Sequence, residues 1–394
     1  MKRFTLIILM TVAAVMTMTG QSHVSPQDTC RQTLSISLLT CSQGKDISSA
    51  FGHSAIRVRD SEKGRDIVFN YGTFSFNEPH FLLNFLKGDL NYFLSISYFN
   101  EFKSAYERAG RGITEQPMNL TEDQKARIYS FLMENARPEN KYYLYDFLQD
   151  NCATRIRDIF DRYGKDEFIL TDTVTDMTYR SELDRLIGDR RWMMFGVDLL
   201  LGARVDRRIT LRETEFLPDR LAGILATYRN QDMGGIPLMT SENTISGPAP
   251  GPGHFKKTLS RITSPFTVFT AVFLFYLLFF LRTGNKQRFT RIFSTVLYAI
   301  LGTGGVILTL MWIATNHIWT AENWNLLWMN PLFLIPAVIR GGRVKNIIIT
   351  ILTLISTVGL TASWLLPQTF HPAVCIIILL TILTAVTRRS VYSK

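Results

Sequence analysis

The C-terminal part of the chain limits its fold more than any motif does. Five apolar segments, at about residues 264–281, 292–313, 324–339, 347–366 and 372–387, follow one another with short polar breaks. Each is near bilayer length, the third and fifth being short. Hydrocarbon offers no water to pair backbone N–H and C=O groups, so each segment is expected to be a membrane-crossing helix. The breaks carry a charge pattern. Arg282, Lys286, Arg288 and Arg291 lie between the first and second segments, and Arg340, Arg343 and Lys345 between the third and fourth. Arg388, Arg389 and Lys394 close the chain, whereas the breaks ATNHIWTAENWN and PQTFH hold neither Lys nor Arg. The positive-inside rule makes the three basic stretches cytoplasmic, so five crossings put the C-terminus inside and the preceding domain outside. The start of the chain requires the same. MKRFTLIILMTVAAVMTMTG has a basic start, a short apolar core and small or polar residues after it. This predicts a signal peptide over residues 1–22, with cleavage near Gly20 to Ser22.

The third apolar segment, WNLLWMNPLFLIPAVI, holds two prolines, Asn330 in its middle, and Trp324 and Trp328 near its outer end. Two readings are open: a kinked helix with an aromatic belt, or a broken helix that faces the exported domain and a lipid headgroup.

Residues 24–236 have the pattern of a globular domain. LSISLLT (34–40), SAIRVRD (54–60) and IVFNYGTF (67–74) alternate apolar and polar residues and are expected to be strands. TEDQKARIYSFLMENA (121–136) reads as an amphipathic helix, with Thr121 as N-cap and Gln124 completing a capping box. NCATRIRDIFDRYG (151–164) reads as a second helix, with Asn151 as N-cap and Gly164 as C-cap. Residues 237–263, with GPAPGPG at 247–253, are expected to be a structureless linker to a membrane domain at 264–388. The net charge of +10 does not point to nucleic acid, because no basic tract is interleaved with stacking aromatics and much of the excess flanks membrane segments.

The chemistry turns on cysteine. Cys30, Cys41 and Cys152 are exported, and Cys375 lies in an apolar membrane segment. An odd exported cysteine is a free thiol in an oxidising compartment; if Cys30 pairs with Cys41, Cys152 is left over. Cys152 follows Asp150 and Asn151 at a helix start, where unsatisfied N–H groups and the helix dipole favour a thiolate and could hold an oxyanion. Arg155 and Arg157 add positive charge. Of the exported histidines His23, His53, His80 and His254, only His53, in AFGHSAIRVRD, has a constrained setting: it follows a glycine at the entry of a strand. It is the candidate base, with Asn70 or Tyr71 on the next strand as its orienting partner and Ser54 beside it. Arg57, with Arg59 on the same strand, and Arg155 are candidates for a phosphate headgroup, although Asp60 and Asp66 could pair with the strand arginines. RRWMMFGVDLLLG (190–202) reads either as an interfacial helix or as a buried one. No metal-ligand spacing and no phosphate-binding glycine loop is present, so no metal or cofactor is expected.

A histidine on a GHSAIRV strand with NC at a later helix start is similar to the circularly permuted papain-like fold of the NlpC/P60 and lecithin:retinol acyltransferase groups. The set SLLTCSQG (37–44), FGHSAIRV (51–58), FNYGTFSF (69–76), YLYDFLQDNCATRIRD (143–158), FGVDLLLG (195–202), FLP (216–218) and NWNLLWMNP (323–331) resembles the Lnb-type periplasmic domain family, associated with lipoprotein N-acylation. The resemblance runs from about residue 33 to 385. It implies an α+β, permuted papain-like domain on the periplasmic face of a bacterial cytoplasmic membrane, followed by five transmembrane helices. It also implies transfer of a fatty acyl chain from a phospholipid, through a Cys152 thioester with His53 as base, to the N-terminal amine of a diacylated lipoprotein. Cys41 also falls in a matching motif and is the runner-up nucleophile. Two alternatives remain open at this point. One is a membrane-tethered NlpC/P60-like peptidase acting on cell-wall peptides; the other is a non-catalytic subunit that binds lipoproteins or lipids.

Overall fold

The computed structural model describes residues 34–75, 77, 79–89, 91–163, 173–249, 254–339 and 342–392. The expected signal peptide, Cys30 with its pairing to Cys41, His23 and the C-cap Gly164 lie outside them.

The strand patterns of the sequence become β1 (Leu34–Cys41), β2 (His53–Asp60) and β3 (Arg65–Thr73). They pair antiparallel, with Ile36 opposite Val58 and Ile56 opposite Phe69. Helix α1 (Phe81–Lys87) leads to β4 (Asn91–Tyr98), which pairs with β3. Helix α2 (Phe99–Arg108), β5 (Ile113–Pro117), α3 (Glu122–Asn135) and β6 (Tyr142–Leu144) follow. Then come α4 (Cys152–Tyr163), α5 (Tyr179–Ile187), α6 (Arg191–Leu200), α7 (Pro218–Leu225) and β7 (Asn243–Ser246). Among the described residues seven strands form one sheet, in the order β7-β5-β1-β2-β3-β4-β6.

Both faces of the central strands are buried, because helices cover each. On one face Ile36, Leu38, Ile56, Val58, Phe69 and Tyr71 pack with Ile128 and Leu132 of α3, Ile156 and Phe160 of α4, and Leu221 of α7. On the other, Leu39, Cys41, Ala55 and Val68 pack with Phe99 and Phe102 of α2. The capping box of α3 is present as expected, with the Thr121 hydroxyl accepting from Gln124 N and Gln124 Oε1 from Thr121 N. The linker expectation needs correcting. Leu238 is fully buried and β7 pairs with β5, so residues 238–246 belong to the sheet domain. Residues 254–262 form a helix, α8 (His254–Ile262).

Of the five expected segments, four are single helices among the described residues. Four helices among the described residues are long and apolar enough to cross a membrane: α9 (Pro265–Arg282), α10 (Lys286–Ile313), α11 (Arg343–Thr361) and α12 (Ala373–Tyr392). The third expected segment is not one helix. It consists of 3-10 turns at Trp324–Leu327 and Pro331–Phe333 and one α turn at Leu334–Val338. The cause is local. Asn323 and Asn330 accept backbone N–H bonds from Asn325 and Leu332 through their own side chains, and Pro331 and Pro336 have no N–H to donate.

This broken segment meets the soluble domain. Asn325 Nδ2 donates to the carbonyls of Asp198 (3.0 Å) and Leu199 (3.3 Å), and Asn323 Nδ2 to those of Leu199 (2.8 Å) and Leu200 (3.1 Å). The carbonyls left unpaired at the C-terminal end of α6 therefore find partners in the membrane region. Trp328 is buried, donating to Asn325 Oδ1, and so is no belt residue. Helix α6, from RRWMMFGVDLLLG, is buried along one side. Its Phe195 is buried with Tyr298, Trp328 and Phe333, while Trp192 stays half exposed against Phe269 and donates to Thr263 O. Beneath it, buried Arg180 bridges Asp198 (2.7 Å) and Asp206 (3.0 Å).

Candidate active site

Cys152 is the first residue of α4, and Asn151 fixes that start. Asn151 Oδ1 accepts from Ala153 N (2.8 Å) and Thr154 N (3.0 Å), while its Nδ2 donates to Phe147 O (2.8 Å) and Phe216 O (2.9 Å). The cap thus anchors the helix start to two loops at once. Asp150 is turned away into a bidentate pair with Arg155 (2.5 and 2.6 Å), whose guanidinium lies 3.9 Å from the centre of the Tyr143 ring.

His53 opens β2. Strand alternation puts it on the face of Ala55, and puts Asn70 on the matching face of Val68. The His53 Nε2–H donates to Asn70 Oδ1 at 2.5 Å, which leaves Nδ1 as the ring nitrogen available to Cys152. Asn70 is held in turn: its Nδ2 donates to Thr73 Oγ1 (3.3 Å), which is bonded to Ser95 Oγ (2.7 Å). Tyr71, one residue on, faces the opposite core and donates to Asn135 Oδ1 (2.6 Å), so it does not orient His53. Between Asn70 and Thr73 the pairing with β4 shifts register. Gly72 sits there at φ +83°, and a Cβ on it would lie 3.7 Å from Cys152 Cβ and 3.9 Å from His53 Cε1. A glycine-bearing bulge lets the helix start meet the strand end.

The electrostatics follow from this geometry. Burial opposes ionisation of Cys152, yet its pKa moves down, because the His53 charge, the His53 hydrogen bond and the backbone N–H groups of Ser54 and Ala153 outweigh it. Burial also works against protonation of His53, yet its pKa moves up, because Cys152 and Asn70 hold the charged ring. Each partner favours the other's ion. The backbone N–H of Ser54 is a contribution from the strand that the helix-start argument did not supply. Cys41, directly opposite His53 in the ladder, behaves otherwise: burial pushes its thiol up to about 12, against an Arg111 charge and a Tyr106 hydrogen bond.

Arg57 is corrected as a headgroup ligand. It is four residues along β2 from His53, about 13 Å at the usual strand rise. There it is buried between Asp66 (2.5 Å) and Glu115 (3.0 Å), over the Phe99 ring. Arg155 is held by Asp150 and the Tyr143 ring.

Cys152 and His53 open into a cavity of about 410 Å³, within the usual size range of ligand sites. Its walls come from both halves of the chain. Phe51, Phe74, Tyr92, Tyr145 and Phe147 line it from the sheet domain and Val197 and Leu200 from α6, while residues 316–320 close it from the turn after α10. Trp319 Nε1 ties this turn to Asp146 (2.9 and 3.0 Å), in the loop that leads to Cys152. Gly72, Thr73, Ser95 and the 316–320 turn are site elements that sequence reasoning missed; an isolated glycine within the FNYGTF strand pattern was the available signal. Among the described residues no group of His, Cys, Asp or Glu could hold a metal ion.

No curated protein and no solved structure matches this chain. Two family models do. One is the Lnb N-terminal periplasmic domain, over residues 26–183, which contain both His53 and Cys152; the other is the Lnb transmembrane domain, over residues 257–394. The chain therefore belongs to the Lnb family, as an inner-membrane protein with a periplasmic N-terminal domain.

Proposed function

We propose that this protein is a lipoprotein N-acyltransferase. It takes a fatty acyl chain from a phospholipid onto Cys152 and passes it to the N-terminal amine of a diacylated lipoprotein. The observation that carries the reading is the position of the Cys152–His53–Asn70 arrangement: it opens into an apolar cavity whose far wall belongs to the membrane domain. A soluble substrate needs no such wall; a lipid chain does. Family membership supports a lipoprotein-modifying role. The order His53 on a strand, then Cys152 at a helix start, supports a permuted papain-like core. The N-terminal domain then lies on the outer face, with the broken segment as the third of five crossings and the C-terminus cytoplasmic.

The Cys152 thiolate attacks the ester carbonyl carbon, and the oxygen gathers negative charge in front of the N-terminus of α4. The carbon–oxygen ester bond breaks, and the departing alkoxide takes the proton from the His53 imidazolium. A thioester and a lysophospholipid result. A neutral amine then attacks the thioester, His53 accepts its proton, and the carbon–sulfur bond breaks to return the thiolate. Asn70 keeps Nδ1 of His53 aimed at sulfur through both halves.

Intact-mass analysis after incubation with phospholipid tests this. The expected result is one hydroxylamine-sensitive acyl adduct, absent in Cys152→Ala. Absence of any adduct, with release of peptides from cell wall, would replace the reading with a peptidase. Persistent lipoprotein acylation in Cys152→Ala would remove the catalytic claim.

A further inference from the structure

Helix α1 presents a greasy surface that the described residues leave largely uncovered. Four of its seven residues are large apolar side chains at or above half exposure: Leu82 67%, Leu83 50%, Phe85 50% and Leu86 56%. Soluble surfaces rarely gather such a patch. Its height is fixed by bonds to the turn after α10, the membrane helix that ends at Ile313. Asn316 N donates to Lys87 O (2.7 Å), Asn316 Nδ2 to Asp89 Oδ1 (2.5 Å), and His317 Nε2 to Phe85 O (3.1 Å). Gly88, at φ +79°, allows the approach; a Cβ there would lie 3.1 Å from His317 N. The helix is thus anchored three residues beyond the end of a helix long and apolar enough to cross a membrane.

The same helix starts a path to the site. Phe85 and Gly88 line the cavity. Ring neighbours run inward from Phe85 to Phe81 (6.3 Å), Phe74 (6.0 Å), Tyr92 (5.3 Å) and Tyr145 (4.1 Å). Tyr145 lies against Gly72, beside Cys152. The cavity mouth is greasy as well: Phe85, Ile318 and Leu200 are 50%, 43% and 39% exposed.

We propose that α1 is a membrane-inserted lip. Leu82, Leu83 and Leu86 sit among the acyl chains of the outer leaflet, and Phe85 begins an aromatic wall along which one phospholipid chain enters the cavity. The insertion stands by itself; the destination of the chain rests on the acyl-transfer reading.

Two measurements separate these. The photo-crosslinker p-benzoylphenylalanine is placed at Leu83, or as a control at Glu62 in the turn at the far end of β2 from His53, in the full chain in phosphatidylethanolamine nanodiscs. A phospholipid-mass adduct is expected at Leu83 and not at Glu62. No lipid adduct at Leu83, equal adducts at both positions, or a protein adduct in its place overturns the lip. In Leu83→Asp/Leu86→Asp, transfer from bilayer phospholipid is expected to fall at least tenfold, while iodoacetamide still alkylates Cys152 at a rate within twofold of the unmodified chain. Unchanged transfer, or equal loss of alkylation, overturns the entry route. If the unmodified chain transfers no acyl group at all, the functional reading fails while the crosslink still decides the insertion.

Discussion

Two buried cysteines in one sheet domain behave in opposite ways. Cys41 and Cys152 are 1% and 9% exposed, and both lie close to His53. Cys41 is even its direct ladder partner. Yet burial pushes the Cys41 thiol up to about 12, whereas the Cys152 pKa is lowered. The difference is the supply of donors. Cys152 meets the His53 ring, the Ser54 N–H and the N-terminus of a helix. Cys41 sits mid-core on a strand whose backbone groups are used in the ladder, with a Tyr106 hydroxyl as its side-chain partner. Proximity to a histidine does not make a thiolate; hydrogen-bond donors aimed at sulfur do.

Substitutions can break or sharpen this contrast. His53→Ala has the largest effect after loss of Cys152 itself: acyl transfer falls by about 10³-fold or more. The pH dependence carries the sign. With His53 present, Cys152 alkylation by iodoacetamide has a midpoint below the ordinary cysteine value, because the lowered pKa keeps the thiolate populated as pH falls. Without His53 the burial that opposes ionisation dominates, and the midpoint moves above that value. An unchanged alkylation profile would show that His53 does not charge the thiol.

Asn70→Ala is expected to lower kcat by about 10²-fold, with KM little changed, since it removes the hold on His53 and touches no lipid. A rise in KM alone would contradict that role. Asn151→Ala removes four hydrogen bonds at the start of α4, and a loss of about 1–2 kcal/mol in denaturant unfolding is expected. The smallest effect belongs to Cys41→Ala: transfer within about threefold of the unmodified chain and a packing loss of about 1 kcal/mol. Loss of transfer as deep as that of Cys152→Ala would exchange the two cysteines' roles.

Much of this was legible in the chain. The thiol at a helix start, the histidine at a strand entry and the capping box of α3 all rest on short-range rules, and the structure holds all three. Asn70 and Tyr71 could not be separated from sequence alone, because the choice depends on which face of β3 looks toward His53. The pairing of Ile56 with Phe69 decides it for Asn70. Arg57 misled for a related reason. A strand arginine looks solvent-facing until α2 and Glu115 of β5 are packed over it. The third membrane segment was readable as irregular from its prolines and asparagines, but not that its asparagines would cap α6, which is more than a hundred residues away.

The sequence by itself determined the division into an exported domain and a membrane domain. It also determined the chemical types at the site, because hydropathy, loop charge and helix-start chemistry act over a few residues. Only the tertiary structure decided that Cys152 and His53 lie together beside Gly72, that Asn70 completes the arrangement, and that residues 316–320 close the cavity. Those contacts join segments 17, 99 and about 165 residues apart, and their distances are set by sheet register, by the bulge at Gly72 and by the packing of one domain on the other.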